Sequence, residues 1–264
     1  MAGDDGSTDS AGQAEENPVF TTTTGPVRII TAASLFDGHD AAINVMRRLI
    51  QSSGAEVIHL GHDQSAKAVV DCAVQEDAHA VALTSYQGGH VEYLTYIRQL
   101  LDEAGCAHVR IFAGGGGTIT PPEIRTLHQS GIEKIYSPDD GRSMGLMGMI
   151  HHLMENASKA DLIDDKRLAS LDGPVTADDM AKVGLLLTLS ETADDSAFKA
   201  TLDKCRSSQK EVPVIGFTGT GGAGKSSLLD EVMLRILRDN PDKKICLLCV
   251  DPTRKRTGGA LLGD

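Results

Sequence analysis

Val27-Arg28-Ile29-Ile30-Thr31-Ala32 reads as a strand, and the polar loop Phe36-Asp37-Gly38-His39-Asp40-Ala41-Ala42 follows it. Ile43, Met46, Leu49 and Ile50 then recur at helical spacing, and the helix stops near Gly54. This strand–loop–helix order is repeated to about Ala157. Glu56 to Leu60 is a second strand, followed by a helix from Ser65 to Gln75. Val81 to Thr84 leads to a helix through Tyr93, Ile97, Leu100 and Leu101. Val109 to Ala113 leads to a helix beginning after Pro121-Pro122. A short fifth strand, Ile132 to Tyr136, precedes a closing helix with Met144, Met147, Ile150, His151 and Leu153. The alternation predicts an α/β fold: a doubly wound parallel sheet with helices on both faces. Ligands of such sheets gather beyond the carboxyl ends of the strands.

Three loops at that edge carry unusual residues. They are Phe36 to Ala42, Ser85-Tyr86-Gln87-Gly88-Gly89-His90, and Gly114-Gly115-Gly116-Gly117. A His two residues after an Asp can have one ring nitrogen held by the carboxylate, which leaves the other free to bind a metal. Four glycines remove side chains from a strand end and admit a flat group to the backbone. The Ser85 hydroxyl could hydrogen-bond a heterocycle placed there. Read from the residues alone, the same loops fit capped helix starts at Asp37 or Asp40 and ordinary tight turns equally well.

Near the C-terminal end, Gly219-Thr220-Gly221-Gly222-Ala223-Gly224-Lys225-Ser226 fits the phosphate-loop pattern, with Ser227 directly after it. Val212 to Phe217 reads as a strand entering the loop. Leu228, Leu229, Val232, Ile236 and Leu237 form a helix leaving it. Backbone N–H groups of the loop would cradle phosphate, helped by the helix N-terminus. Lys225 would reach the β- and γ-phosphates, and the Ser226 hydroxyl would bind Mg²⁺. Lys244 to Val250 reads as a strand ending at Asp251, a carboxylate placed to hold Mg²⁺ directly or through water.

Between the two patterns, residues 158–210 are expected to be a helical linker. Leu162, Ile163, Leu168 and Leu171 suggest one helix. Thr176 and Asp179 suggest a capping box opening a second, with Met180, Val183, Leu186 and Leu187 on one face. Asp194 to Arg206 suggests a third. Residues 1–26 are acidic and rich in Gly, Ser and Thr, and read as a disordered tail.

The chain has 264 residues, of which 41% are hydrophobic and 23% charged, enough for one large or two modest domains with real cores. Its net charge of −12 argues against a nucleic-acid surface. No apolar run reaches the length of a membrane span, and no signal peptide is evident. Five cysteines, at 72, 106, 205, 246 and 249, suggest reduced thiols and a cytoplasmic location. Cys246 and Cys249 lie within an apolar strand and read as core thiols rather than a metal pair. His62, His90, His128, His151 and His152 read as surface or satisfied residues.

Residues 27–157 resemble the cobalamin-binding domain of adenosylcobalamin-dependent acyl-CoA mutases. That family carries Asp-x-His-x-x-Gly, Ser-x-Leu and Gly-Gly in this order. Asp37 and His39, then Ser85, then Gly116-Gly117 match. Ala42 and Gln87 depart from the pattern. The resemblance implies a flavodoxin-like sheet and His39 as the lower axial ligand of cobalt, with Asp37 as its hydrogen-bonded partner. It implies that Ser85, Gly115, Gly116 and Gly117 line a slot for the nucleotide tail of the cofactor.

Residues 211–264 resemble the G-protein chaperones of such mutases, which show Val-Asp-Pro, Thr-Gly-Gly and Leu-Gly-Asp. Val250-Asp251-Pro252, Thr257-Gly258-Gly259 and Leu262-Gly263-Asp264 match. This implies GTP as nucleotide and Ser226, Asp251 and Asp264 around Mg²⁺. The two modules in one chain are similar to the fused isobutyryl-CoA mutase family, in which a barrel for acyl-CoA follows the G domain. That resemblance implies an isomerase interconverting isobutyryl-CoA and n-butyryl-CoA, with a GTPase chaperone built in, as a homodimer. The acyl-CoA barrel and the guanine-selecting Asn-Lys-x-Asp element lie outside these 264 residues. No catalytic residue is expected here, and the chain reads as an N-terminal portion. Two other readings are a cobalamin carrier or sensor with a nucleotide switch, and a signalling domain joined to an ATPase.

Overall fold

The computed structural model describes residues 20–22, 25–206 and 212–250. Five parallel strands form one sheet: β1 (Arg28–Ser34), β2 (Glu56–Gln64), β3 (Ala80–Thr84), β4 (Arg110–Gly114) and β5 (Lys134–Tyr136). Their spatial order is β2-β1-β3-β4-β5. The order reverses between β1 and β3, and this switch point is where doubly wound sheets open a crevice. A two-residue antiparallel ladder, Thr21–Thr22 with Gly25–Pro26, precedes the sheet.

The central strands are buried on both faces, so they read as apolar runs rather than alternating ones. Ile30, Ala32, Val81, Leu83 and Ile111 point to one face. There they meet α2 (Ala66–Gln75), α3 (His90–Glu103) and α4 (Pro121–Gln129). Ile29, Ala80, Ala82 and Phe112 point to the other, with Ile50 of α1 (Asp40–Ser52) and Ile150 and Met154 of α5 (Pro138–Ala157). Local chemistry fixes the helix starts. The Ser65 hydroxyl accepts from Ala68 N at 3.1 Å to cap α2. Two prolines occupy the first turn of α4, where no N–H is needed. Ser137 and Asp140 form a capping box on α5. Within α5 the backbone leaves helical geometry at Gly145, where φ is 66°.

The linker departs from expectation in three places. Instead of one helix through Leu162 and Leu171, only Asp165–Ala169 is helical (α6), because Asp164 caps its start; Leu162 and Leu171 are buried beyond its two ends. Thr176 N and Oγ1 both donate to Asp179 Oδ2, at 2.9 and 3.0 Å. That pair closes a turn ahead of α7 (Met180–Thr192), whose cap is Asp179 itself. The buried stripe of α7 is Gly184, Leu185, Thr188 and Leu189, while Leu187 is exposed. Close packing of Gly184 on α2 selects this face. A Cβ on Gly184 would lie 3.0 Å from the Val74 carbonyl oxygen. Helix α8 (Asp195–Cys205) completes a small cluster of Leu171, Leu185, Leu189 and Cys205.

The linker is pinned to the sheet domain by a buried polar knot. Arg167 donates to Asp77 Oδ1 at 2.5 Å, and the Thr188 hydroxyl to Oδ2 at 2.7 Å. The second Arg167 nitrogen donates to the Leu162 carbonyl. Arg167, Asp77 and Thr188 are all buried.

Internal contacts divide the chain into two compact units, meeting between Gln209 and Lys210. In the second unit, α9 (Lys225–Asp239) follows the glycine loop as expected. The expected strands Val212–Phe217 and Lys244–Val250 are not strands in the structure. A strand exists by its ladder, and no ladder joins either segment among the described residues. Val214, Leu248 and Val250 are accordingly exposed, and no residue of α9 is buried. Cys246 and Cys249 are exposed as well, not core thiols. Among the described residues, no helix is long and apolar enough to cross a membrane.

Candidate functional site

The loop after β1 presents a histidine held from behind. Asp37 is fully buried. Its Oδ1 accepts from His39 N at 2.9 Å and faces His39 Nδ1 at 2.7 Å, and its Oδ2 accepts from Tyr86 N at 2.6 Å. Burial alone would raise the Asp37 carboxyl. The Tyr86 and His39 N–H groups and the His39 ring outweigh it and hold the carboxyl below its usual range. An ionised carboxylate only accepts, so Nδ1 carries the proton and donates to Asp37. In the neutral ring Nε2 then keeps a free lone pair. The side chain of His39 remains 63% exposed. His39 is the N-cap residue of α1, yet its side chain makes no capping bond, so the ring is available to a ligand.

Beside it lies a slot of about 580 Å³ between α1, α5 and the ends of β3 and β4. Its walls include Ala41, Ala42 and Met46 on one side and Gly141, Leu146 and Met149 on the other. Thr84, Tyr86, Gly114, Gly115 and Gly116 close the sheet side. The Tyr86 and His39 rings stand 5.6 Å apart, which places the histidine next to the slot wall. A Cβ on Gly115 would lie 1.9 Å from the Ser85 carbonyl oxygen, so only glycine fits there. Gly116 has φ +59°, and its Cβ would press on the Tyr86 ring at 3.2 Å.

Ser85 and Gly117 are not part of the wall. The Ser34 hydroxyl donates to the buried Ser85 hydroxyl at 3.0 Å. Alternation along the strand explains the difference: Thr84 and Tyr86 face the slot, and Ser85 between them faces away. The Thr84 hydroxyl is buried with no hydrogen-bond partner. Period-two counting from β3 puts Thr84 and Tyr86 on one face in the sequence, and the register of β3 against β1 and β4 decides that this face meets the slot. Of the histidines expected to be satisfied, His90 lies 3.3 Å from Glu123, and His152 Nδ1 is 3.0 Å from the Tyr136 hydroxyl. His151 Nε2 is buried without a partner.

These features fit a cobalamin. One protein nitrogen, His39 Nε2, would suffice to hold a cobalt that the corrin itself already ligates. Among the described residues no cluster of three or more His, Cys, Asp or Glu gathers for a bare ion. The slot is apolar and has one unpaired hydroxyl and a glycine wall, as a flat heterocycle requires.

In the second unit, Gly222 and Gly224 adopt φ of +75° and +80°, which only glycine takes without strain. Gly224 is the N-cap of α9, and Lys225 Nζ donates to the Thr220 carbonyl at 2.9 Å across the loop. Gly219, Gly221, Ala223, Ser226 and Ser227 complete an exposed loop and first turn. Asp251 and Asp264 lie outside the described residues.

Comparison with known proteins agrees with both halves. Residues 27–136 match the B12 binding domain. Residues 183–264 match the methylmalonyl Co-A mutase-associated GTPase MeaB. The fused isobutyryl-CoA mutase of Geobacillus kaustophilus (strain HTA426) is 49% identical over 247 residues, covering 90% of this chain and 22% of that protein. The fused isobutyryl-CoA mutase of Cupriavidus metallidurans is 50% identical over 241 residues, with the same two coverages of 90% and 22%. The 2-hydroxyisobutanoyl-CoA mutase small subunit of Aquincola tertiaricarbonis is 29% identical over 115 residues, 82% of its length and 43% of this chain. The chain thus spans 22% of the length of the fused enzymes. Over 90% of its length the chain is homologous to fused isobutyryl-CoA mutases, joining a B12-binding domain to sequence of a MeaB-type GTPase.

Proposed function

We propose that the sheet domain binds adenosylcobalamin with His39 Nε2 as the lower axial ligand of cobalt. The observation that carries this reading is the buried Asp37 carboxylate on Nδ1 of an exposed imidazole, beside an apolar slot. Asp37 fixes the tautomer and orientation of the ring. Thr84, Tyr86, Gly115 and Gly116 would receive the nucleotide tail, with Ser85 and Gly117 shaping the same loops from outside the wall. Bound adenosylcobalamin supplies radical chemistry, and the protein's part is to place it and exclude side reactions.

The glycine loop would hold GTP or GDP through Gly219 to Ser227, with Mg²⁺ on Ser226, Asp251 and Asp264. We take the chain as part of an isomerase that interconverts isobutyryl-CoA and n-butyryl-CoA. The acyl-CoA would be held by a barrel outside these residues, and the nucleotide would gate cofactor loading as a chaperone function. Names and lengths of the relatives support this reading. The test is titration of the purified chain with adenosylcobalamin. Wild type is expected to bind with a spectrum showing imidazole coordination, and His39→Ala to lose that signature. An identical spectrum for His39→Ala refutes the assignment.

A further inference from the structure

Strand β2 runs four residues beyond the apolar stretch that announces it, and this extension reaches the histidine loop. Its pairing with β1 skips residues twice. Thr31 pairs with His59, Ala32 with Gly61, and Ser34 with Gln64. The extra residues carry Asp63 over the turn that holds Asp37. Phe36 N donates to Asp63 Oδ1 at 2.7 Å, and Asp63 N donates to the Asp37 carbonyl at 3.3 Å. Both residues stand in the left-handed region, Phe36 at φ 63° and Asp63 at φ 56°. A phenylalanine does not hold that conformation by itself, and its ring is 80% exposed, so packing does not hold it there either. The Asp63 carboxylate holds the Phe36 N–H, Asp63 N holds the Asp37 carbonyl, and Asp37 N donates to the Ser34 carbonyl at 3.0 Å to close the turn around Phe36. The Phe36 backbone in turn sets the direction of the Asp37 side chain, whose two oxygens serve His39 and Tyr86.

We infer that Asp63 is a positioning residue for His39: it clamps the strained Phe36–Asp37 turn from both sides and so aims the imidazole that Asp37 holds. This rests on the proposed role of His39, and the experiment separates the two. In the purified full chain loaded with cob(II)alamin, nitrogen splitting in the electron paramagnetic resonance signal reports imidazole on cobalt; ¹⁵N-labelled histidine identifies it as the protein's. Asp63→Ala is expected to lower the histidine-ligated fraction about tenfold, the usual cost of removing an outer partner of a ligand. Asp63→Asn, which keeps an acceptor oxygen, is expected to retain it. Phe36→Gly added to Asp63→Ala is expected to restore it, since glycine takes positive φ freely. Far-ultraviolet circular dichroism checks that each variant is folded. In the cobalamin-free chain, ¹⁵N shifts of the His39 ring are expected to show loss of the Nδ1–H form in Asp63→Ala only. Unchanged splitting and ring shifts in Asp63→Ala, or a loss shared by Asp63→Asn, overturn the inference. Should wild type take up no cobalamin, the proposed function falls, and the ring shifts still decide the role of Asp63.

Discussion

Gly115 lies so close to the backbone of Ser85 that only glycine fits at 115: a methyl group there would sit 1.9 Å from the Ser85 carbonyl oxygen. Ser85 N also donates to the Gly114 carbonyl at 2.8 Å, so the two loops that wall the slot are fastened backbone to backbone. Gly115→Ala must push them apart. A loss of about 2–3 kcal/mol is expected in urea unfolding, together with weakened cobalamin binding. Gly117 has open space around its Cβ position, and Gly117→Ala is expected to change stability by less than about 0.5 kcal/mol.

Thr84 offers the opposite test, a group that costs stability and serves binding. Its hydroxyl is buried without a partner. Thr84→Val removes that burden and is expected to stabilise the free chain by about 1 kcal/mol. Cobalamin affinity is expected to fall about tenfold, the worth of one hydrogen bond in a desolvated site. Thermal melting and equilibrium titration on the same preparation read both effects.

Asp77 holds the linker, and its removal leaves the Arg167 guanidinium buried and unpaired. Asp77→Ala is expected to cost about 3–5 kcal/mol. It is also expected to speed hydrogen exchange across α6 to α8, since Thr188 loses its acceptor and Arg167 keeps only the Leu162 carbonyl. Asp77 sits at φ 48°, a conformation asparagine tolerates, so Asp77→Asn is expected to lose clearly less.

Two buried histidines predict acid sensitivity. Burial, and then the Arg28 charge, pushes His79 down to about 4. Burial and the Arg167 charge push His108 down to about 4, with Asp77 opposing in both cases. In the unfolded chain each returns to about 6.5, so the unfolded state takes up protons first as pH falls. Their contribution is therefore complete above about pH 6.5 and is lost progressively toward pH 4, at up to roughly 1.4 kcal/mol per pH unit for each. His108→Leu is expected to halve that slope in urea melts run between pH 7 and 4.

Much of the fold was legible before the structure. Five strands and the helices between them follow from apolar runs separated by Ser65, Pro121-Pro122 and Ser137, whose capping chemistry is local. The Asp37–His39 pair was legible as one of two equal readings, since two residues of spacing within one loop can bring the carboxylate to Nδ1, and distant bonds to Tyr86 and Asp63 settle it. The sequence by itself determined the glycine loop opening α9, since Gly222 and Gly224 need no distant partner to adopt positive φ. Only the tertiary structure decided the rest, and in each case the cause lies far along the chain. Thr84 rather than Ser85 faces the slot because the whole of β3 is fixed in register by β1 and β4. The buried face of α7 is chosen by the fit of Gly184 and Thr188 against α2 and Asp77, which hydrophobicity does not record. The clamp by Asp63 depends on a bulge between β1 and β2, and hydrogen bonds between residues 27 positions apart leave no periodic trace in a sequence.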